Sequence, residues 1–229
     1  MEIEEIKGRL KALADPRAVA GMARAGIVGD EVWGVSIPNL RALAKQIGRD
    51  QDLSLKLWAE GSRETKILAA LVGQPQEVTE AQMEAWVLEI RSWEVCDQLC
   101  MNLLEKIKGI EQKAIAWSGR QEEFVKRTGF VLMARLAVSD KKAGDELFES
   151  FLPLIEGQAW DERNFVKKAV NWALRQIGKR NLRLNELALD AARRIMAQDT
   201  KPARWIAADA LRELTSDQVQ ERLKAKAKA

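Results

Sequence analysis

The stretch Phe165-Val166-Lys167-Lys168-Ala169-Val170-Asn171-Trp172-Ala173-Leu174-Arg175 combines a helical apolar stripe with a row of cations. Its first four residues are similar to Phe124-Val125-Lys126-Arg127 and to Trp205-Ile206-Ala207-Ala208, each about 40 positions away along the chain. In all three copies an aromatic–aliphatic pair opens the apolar face of a predicted helix. A period near 40 residues is typical of HEAT-like solenoids built from paired helices. An irregular helical bundle is the alternative.

The rest of the chain also predicts an all-α fold. Only 14 glycines and 5 prolines occur in 229 residues, and β-branched residues form no alternating runs, so no sheet is predicted. Residues that favour helix starts recur at Asp15, Ser36, Ser62, Thr79, Ser92, Asp161 and Thr200. Glycines that favour helix ends recur at positions 26, 48, 61, 73, 109, 157 and 178. We expect one HEAT-like helical domain over residues 1–229, with a short flexible tail at about 222–229 that contains Lys224, Lys226 and Lys228.

Several classes of chemistry are excluded by what the sequence lacks. The chain has no histidine, which excludes Ser-His-Asp and Cys-His catalysis and histidine-bound zinc. It has neither of two glycine-rich motifs that bind nucleotide phosphates, Gly-x-x-x-x-Gly-Lys-Ser/Thr and Gly-x-Gly-x-x-Gly. We therefore expect no metal, nucleotide or other cofactor, and any catalysis must use carboxylates, cations and aromatic surfaces.

The cysteines, the N-terminal residues and the apolar runs of the sequence predict a reduced, cytoplasmic compartment. Cys96 and Cys100 lie four residues apart on one predicted helix and are interpreted as small core residues, not as part of a disulfide framework. The acidic start at Glu2, Glu4 and Glu5 does not resemble a signal peptide. No apolar run approaches the roughly 20 residues needed to cross a bilayer.

The charge distribution indicates a nucleic-acid partner although the net charge is only +3. Residues 163–183 contain seven basic residues and no acidic one. Lys168, Arg175 and Lys179 share one helical face, and Trp172 lies where that face meets the apolar stripe. An aromatic beside cations is suited to contact a sugar or base while the cations hold phosphates. The alternative is an ordinary core tryptophan beside solvated cations.

Two charged residues lie in or beside apolar stripes of their predicted helices. Asp97 follows Trp93 by one turn, at the edge of a stripe that includes both cysteines. Arg127 lies among apolar residues of the predicted helix 121–138. A charge in such surroundings requires a partner or a function. Asp97 fits a catalytic carboxylate or a structural one, Arg127 fits a phosphate or a carboxylate contact, and the two residues could pair with each other.

Four blocks, in order along the chain, resemble the DNA alkylation repair (AlkD-like) family. Residues 34–45 are similar to the Gly-x-x-x-Pro-x-x-Arg-x-Leu-x-Lys motif of that family, and residues 92–97 to its Trp-x-x-x-Asp motif. Phe124-Val125-Lys126-Arg127 resembles its helix with a phosphate-facing arginine. Residues 165–175 resemble its Lys-Ala-x-x-Trp-x-Leu-Arg segment. The resemblance extends over about residues 15–215.

This resemblance implies a HEAT-like superhelix whose concave groove binds duplex DNA as a monomer. Active members of the family remove cationic N3- or N7-alkylated purines without flipping the base. By the same resemblance, Trp93 and Trp172 flank the deoxyribose, Asp97 faces its anomeric carbon and Arg127 holds the backbone. The further DNA contacts that we predict are Lys126, Lys167, Lys168, Arg175 and Lys179.

The chain departs from the family pattern in its N-terminal region. Active relatives have a tyrosine near the position of Met22–Ala25, whereas this chain has Ala25 and no tyrosine at all. Trp33, in the predicted loop 26–36, is a candidate to replace that contact. The loop has the length of a functional loop or a mobile entry segment.

Two other functions fit the same sequence features. A non-catalytic binder of damaged or branched DNA would bind tightly and release no base. A HEAT-like protein-interaction scaffold would show no salt-sensitive affinity for DNA.

Overall fold

The computed structural model describes residues 1–227, which form fourteen α-helices and one 3₁₀ turn without any β-strand in that range. The helices belong to two compact units, Met1–Lys108 and the described residues from Gly109 onward. The all-α prediction is therefore confirmed. The expectation of a single domain over residues 1–229 stays a prediction.

The first unit is arranged around one deeply buried helix, α5. Its helices are α1 (Ile3–Ala12), α2 (Pro16–Arg24), α3 (Ile37–Ile47), α4 (Gln51–Ala59), α5 (Arg63–Val72), α6 (Glu80–Glu89) and α7 (Trp93–Asn102), followed by the 3₁₀ turn Leu104–Lys106. Helix α5 packs against α3, α4 and α7, and every residue of it except Leu71 is buried. On α4 and α6, Trp58 and Trp86 stack with ring centroids 4.1 Å apart.

The second unit places three long helices side by side. Its helices are α8 (Ile110–Ser118), α9 (Glu123–Ser139), α10 (Asp145–Gly157), α11 (Asn164–Gly178), α12 (Leu182–Ala197), α13 (Lys201–Leu214) and α14 (Asp217–Ala227). Helix α11 packs against both α9 and α13, α10 packs against α12, and α14 packs against α12 and α13. The first turns of α9 and α11 meet through Phe124 and Phe165, whose rings stack at 5.7 Å.

Most of the predicted helix starts are confirmed by side-chain caps. A side-chain oxygen of the residue before the helix accepts a backbone N–H at Asp15, Ser36, Ser62, Thr79, Ser92 and Thr200. Asp161 is the exception, because α11 begins two residues later, after Arg163. Two caps were not predicted: Asp50 begins α4 and Asn181 begins α12. Each cap satisfies a backbone donor that the helix itself leaves unpaired.

The repeat has a different length in the two units. In the second unit, hydrogen bonds join residues 38 apart on neighbouring helices, such as Arg127 to Phe165 and Asn171 to Asp209. In the first unit the corresponding spacing is 31 residues, as in Arg63 to Glu94 and Trp58 to Glu89. The predicted period near 40 therefore describes the second unit only. The shorter repeat is visible in the sequence as Ser62-Arg63-Glu64 and Ser92-Trp93-Glu94, which both begin helices.

The C-terminal end is helical up to Ala227. The flexible tail was predicted from about residue 222, but α14 continues through that region and buries Leu223. Lys224 and Lys226 lie on this helix, whereas the predicted tail residues Lys228 and Ala229 lie outside the described part of the chain. None of the described helices is long and apolar enough to cross a membrane.

Candidate nucleic-acid interface and catalytic carboxylate

Helix α7 carries Trp93 and Asp97 one turn apart. Ser92 caps this helix by accepting the backbone N–H of Val95 at 3.4 Å, so that Trp93 is its first residue. Trp93 and Asp97 are half-buried. The adjoining face of α7 is buried, and it includes Cys96 and Cys100, which confirms the interpretation of both cysteines as core residues. An apolar face packed into the core fixes the direction in which the other face points.

The indole of Trp93 is held by the N-terminal region. Its Nε1 donates a hydrogen bond to the backbone oxygen of Ala25 at 3.0 Å, across 68 residues of sequence. Ala25 ends α2, in the segment where the family pattern has a tyrosine. The chain therefore brings this segment to the edge of Trp93 and offers a backbone carbonyl there in place of an aromatic ring.

A buried carboxylate on α5 holds the loop that contains Trp33. Glu64 is fully buried and accepts the backbone N–H groups of Trp33, Gly34 and Val35 at 3.0, 3.1 and 3.2 Å. Three N–H donors that converge on one carboxylate fix the course of the backbone. The prediction of a mobile entry segment does not fit this arrangement. The Trp33 ring lies 5.9 Å from the ammonium of Lys11.

Arg63 connects the same loop to the start of α7. Its guanidinium donates to Glu64 at 2.8 Å, to the Val35 oxygen at 2.9 Å and to Glu94 at 2.6 Å. Burial lowers the pKa of Arg63, but the hydrogen bond and charge of Glu94 outweigh it and raise the pKa above its ordinary value. Glu94 is next to Trp93, so the loop, α5 and the first turn of α7 form one network. This network was not predicted from the sequence, although the charged residues Arg63 and Glu64 at the start of the otherwise apolar helix α5 indicated it.

On α9, the two basic residues that were predicted to contact DNA, Lys126 and Arg127, are buried. Lys126 is 1% exposed, and its ammonium lies 2.8 Å from Gln158, 3.3 Å from Asp161 and 5.5 Å from the ring of Trp160. It is therefore engaged inside the unit and is not suited to bind a phosphate, in contrast to the prediction. Arg127 is 5% exposed and donates to the Phe165 oxygen at 2.7 Å, where α9 meets α11.

The predicted basic face of α11 is partly neutralised by α13. Lys179 lies 2.6 Å from Glu213, Arg175 pairs with the same carboxylate, and the guanidinium of Arg175 lies 3.5 Å from Asp209. Burial works against the ionised form of Glu213, but hydrogen bonds from Lys179 and Arg175 hold its pKa below the ordinary value. The segment 163–183 has no acidic residue, and the carboxylates that pair with Arg175 and Lys179 come from α13, which begins at Lys201.

The other members of the predicted α11 site are more open. Lys168 is exposed and has no ion-pair partner among residues 1–227, and Trp172 is half-buried one turn further on. Lys167 lies over the ring of Trp205 at 4.9 Å, and 41% of Trp205 is exposed. Lys168 and Trp172 therefore remain a pair in which a cation and an aromatic edge can both be reached from outside.

Comparisons with known proteins identify one family and one fold. The family model described as DNA alkylation repair enzyme matches residues 6–214. One solved structure superposes with a TM-score of 0.76 at 19% identity, covering 85% of this chain and 83% of that chain. That protein is described as a member of a new family of proteins related to the HEAT-like repeat DNA glycosylases with affinity for branched DNA structures. At this identity the similarity establishes the fold, which is that of the HEAT-like repeat proteins.

A second structure, a designed armadillo repeat protein in complex with the peptide (KR)4, reaches a TM-score of 0.35 at 14% identity. It covers 81% of this chain and 89% of that chain, and it supports no argument about this protein. No curated protein matches the sequence significantly.

Proposed function

The chain belongs to the family of DNA alkylation repair enzymes, and on that premise we propose that it is a DNA glycosylase for cationic N3- and N7-alkylated purines in duplex DNA. The reaction is hydrolysis of the N-glycosidic bond without base flipping. The purine leaves as a neutral base, the oxygen of water bonds to the anomeric carbon, and the proton of that water passes to a carboxylate or to solvent. The observation that supports this proposal most directly is the pairing of Trp93 and Asp97 on one accessible face of α7.

The chemistry needs few groups because the lesion is already a good leaving group. As the purine departs, positive charge develops on the sugar. A carboxylate about 4 Å away stabilises a unit charge by about 4 kcal/mol at an effective dielectric near 20. That stabilisation corresponds to about three powers of ten in rate. We assign this role to Asp97, which would also orient the attacking water.

The surroundings of α7 support the assignment because they hold the site rigidly. Trp93 is held by Ala25, and the first turn of α7 is held by Arg63 and Glu94. A carboxylate stabilises a transition state only when its position is set before the reaction. We assign Trp93 and Trp172 to contacts with the deoxyribose and Lys168 to a phosphate, whereas the buried Arg127 joins α9 to α11.

Base release from methylated duplex DNA tests the catalytic proposal. Wild-type protein is expected to release 7-methylguanine or 3-methyladenine. Asp97→Asn removes the charge but keeps the shape of the side chain, so release should fall about a thousandfold while DNA binding is retained. Asp190→Asn is a matched control, because Asp190 is an exposed carboxylate on α12 that pairs with the exposed Arg193. Undiminished release by the Asp97 variant would contradict the mechanism.

A second candidate is a non-catalytic binder of branched or damaged DNA. Two observations favour it: the structural relative is described with affinity for branched DNA, and this chain has Ala25 where active family members have a tyrosine. Tight, salt-dependent binding of a four-way junction without base release by wild type would select this function. Absence of any salt-sensitive DNA affinity would exclude both candidates and favour a protein-interaction scaffold.

A further inference from the structure

A strongly basic cleft lies at one end of the second unit, away from Trp172. It is formed where α9, α11 and α14 end, next to the turn before α10, and has a volume of about 490 Å³. We call it the cationic cleft and define it by its charged lining residues: Lys141, Asp145, Lys179, Arg180, Arg222 and Lys226. Five of these six are cations.

Most of the positive charge in the cationic cleft has no carboxylate partner. Asp145 accepts hydrogen bonds from Asn181 at 2.8 and 3.0 Å and lies 3.6 Å from Arg183, and Lys179 is paired with Glu213. Among residues 1–227, no carboxylate lies within ion-pair distance of Lys141, Arg180, Arg222 or Lys226. Four cations therefore line one cleft without an ion-pair partner among the described residues, and Arg180 is also influenced by more distant carboxylates, those of Asp145 and Asp140.

Two of these four cations, Arg180 and Lys226, donate hydrogen bonds to backbone oxygens near the ends of helices. Lys226 donates to the backbone oxygens of Lys179 and Arg180, both at 3.2 Å. Arg180 donates to the oxygens of Ala137 and Ala143 at 3.1 and 2.8 Å. Both are suitable partners for the carbonyls that helix ends leave unpaired. Lys141 and Arg222 make no such hydrogen bond within the described chain.

The gathering of these charges costs free energy in the empty protein. Burial, followed by repulsion from Arg222, Lys141 and Arg180, lowers the pKa of Lys226 below its ordinary value. Burial likewise lowers the pKa of Arg180. Like charges held together in this way are stabilised when an anion binds between them.

We propose that the cationic cleft binds a phosphate group, and that its source is the DNA backbone. Several separate Lys and Arg donors around an open space suit a group with multiple charged oxygens. Among the described residues, those that line the cleft include no aromatic ring that could stack a base. The assignment to DNA rests on the proposed function, because the cleft lies at the C-terminal end of α11, the helix that carries Trp172.

The position of the cleft defines which phosphate it would take. Lys179 lines the cleft and is seven residues beyond Trp172, which corresponds to about 10 Å along a helix. One strand of B-DNA advances about 3.4 Å for each phosphate, so on a duplex that runs along α11 the cleft would hold a phosphate about three steps from the nucleotide beside Trp172. Lys168 and the cationic cleft would then contact the backbone on either side of that nucleotide.

The salt dependence of DNA binding tests the proposal. The variant Lys141→Gln/Arg222→Gln removes two exposed cleft cations, and Arg193→Gln/Arg194→Gln removes two exposed cations from α12 as a matched control. Affinity for a fluorescent duplex is measured between about 50 and 200 mM salt. The slope of log affinity against log salt should decrease by about 0.9 for each phosphate that the cleft variant no longer neutralises, and should not change in the control. An unchanged slope in the cleft variant, or an equal decrease in both, would overturn the DNA assignment.

A second experiment distinguishes a phosphate of the DNA backbone from free inorganic phosphate as the ligand of the cationic cleft. The thermal midpoint of each protein is measured in inorganic phosphate and in chloride at equal ionic strength. Stabilisation by phosphate that is lost only in the cleft variant, with an unchanged DNA slope, would show a site for a free phosphate. No effect in either arm would refute the phosphate site altogether.

Base release, measured as a function of protein concentration, keeps the two proposals separate. The cleft residues do not touch the reacting sugar in the proposal, so the cleft variant should need a higher protein concentration than wild type to reach half of its maximal rate of base release. Failure of wild type to release base leaves the slope measurement valid, and failure of the cleft test leaves the role of Asp97 intact.

Discussion

Asp161 is a buried carboxylate that holds two cations of the second unit. It is 2% exposed, lies 3.3 Å from the ammonium of Lys126 and pairs with Arg163 at 2.6 Å. Burial raises the pKa of Asp161, but the hydrogen bonds of Arg163 and Lys126 outweigh it, so the pKa lies below its ordinary value of 3.8. Because the folded state binds the proton more weakly than the unfolded state, ionised Asp161 stabilises the fold.

Replacement of Asp161 by Asn should destabilise the protein in a pH-dependent way. At neutral pH the loss is expected to be about 3 kcal/mol, because Lys126 keeps its charge without its carboxylate. The stabilisation by Asp161 is complete above the unfolded pKa and is lost as the pH falls through the lower folded pKa, so the variant and wild type should converge in acid. The free energy of unfolding in urea, measured at several pH values, checks this.

The exposed ion pair of Arg193 and Asp190 provides a control for the effect of the Asp161 substitution on stability. Asp190→Asn should change the free energy of unfolding by less than about 1 kcal/mol, because both side chains are more than half exposed. A difference between wild type and the Asp161 variant that stays constant with pH would show that packing, and not the charge, is responsible.

At the scale of secondary-structure elements, the contact between α8 and α9 depends on Gly129. A Cβ atom at this position would lie 2.5 Å from the backbone nitrogen of Ser118 and 2.8 Å from the oxygen of Ala114. Both atoms belong to the backbone of α8, which cannot move aside without separating the two helices. The close approach of these helices therefore requires the absence of a side chain.

Gly129→Ala should destabilise the protein by about 1–3 kcal/mol, although alanine is the better helix former. Gly8→Ala on α1 is the matched change, since a Cβ there would meet no atom within 4 Å. That variant should gain about 0.5–1 kcal/mol from reduced freedom of the unfolded chain. Thermal and urea unfolding measure the change in the free energy of unfolding of each variant. Equal effects of the two substitutions would refute the proposed close approach.

At the scale of the whole molecule, the net charge of +3 says little about DNA binding, because the location and pairing of the charges decide it. Arg175 and Lys179 belong to the predicted basic face, but Glu213 binds both. A phosphate would have to compete with this carboxylate for them. The cations with no carboxylate partner in the described chain include Lys168 and four residues of the cationic cleft.

Removal of the competing carboxylate should strengthen DNA binding. In Glu213→Gln, Arg175 and Lys179 become available to phosphates, and the salt slope should steepen by about 0.9 for each additional phosphate that is neutralised. Glu186→Gln on α12 makes the same change in net charge at an exposed site and should have a smaller effect. Equal strengthening by both variants would attribute the effect to net charge. Weaker binding by the Glu213 variant would mean that Glu213 orients the two cations for DNA.

The candidate catalytic residues could be predicted because their relation is local. Trp93 and Asp97 are four residues apart, and four residues make about one helical turn, so an apolar pattern that predicts α7 also places them on one face. The contact of Trp93 with Ala25 could not be predicted, because the two are 68 residues apart and meet only when α2 and α7 fold into one unit. The hydrogen bonds of Glu64 to the loop that contains Trp33 could not be predicted either, because they join residues about 30 positions apart.

The sequence alone was enough to predict the helices, most of their caps, the repeat of about 40 residues in the second unit and the family. Periodicity, capping and motif spacing all depend on residues within a few positions of one another. Which charges remain open to a ligand depends on the packing of the helices. Packing buries Lys126 against Asp161 and pairs Arg175 with Glu213, and it brings together four cations: Lys141, Arg180, Arg222 and Lys226. Electrostatic energy depends on distance in space, and packing brings together charges that are 30 or more residues apart in the chain.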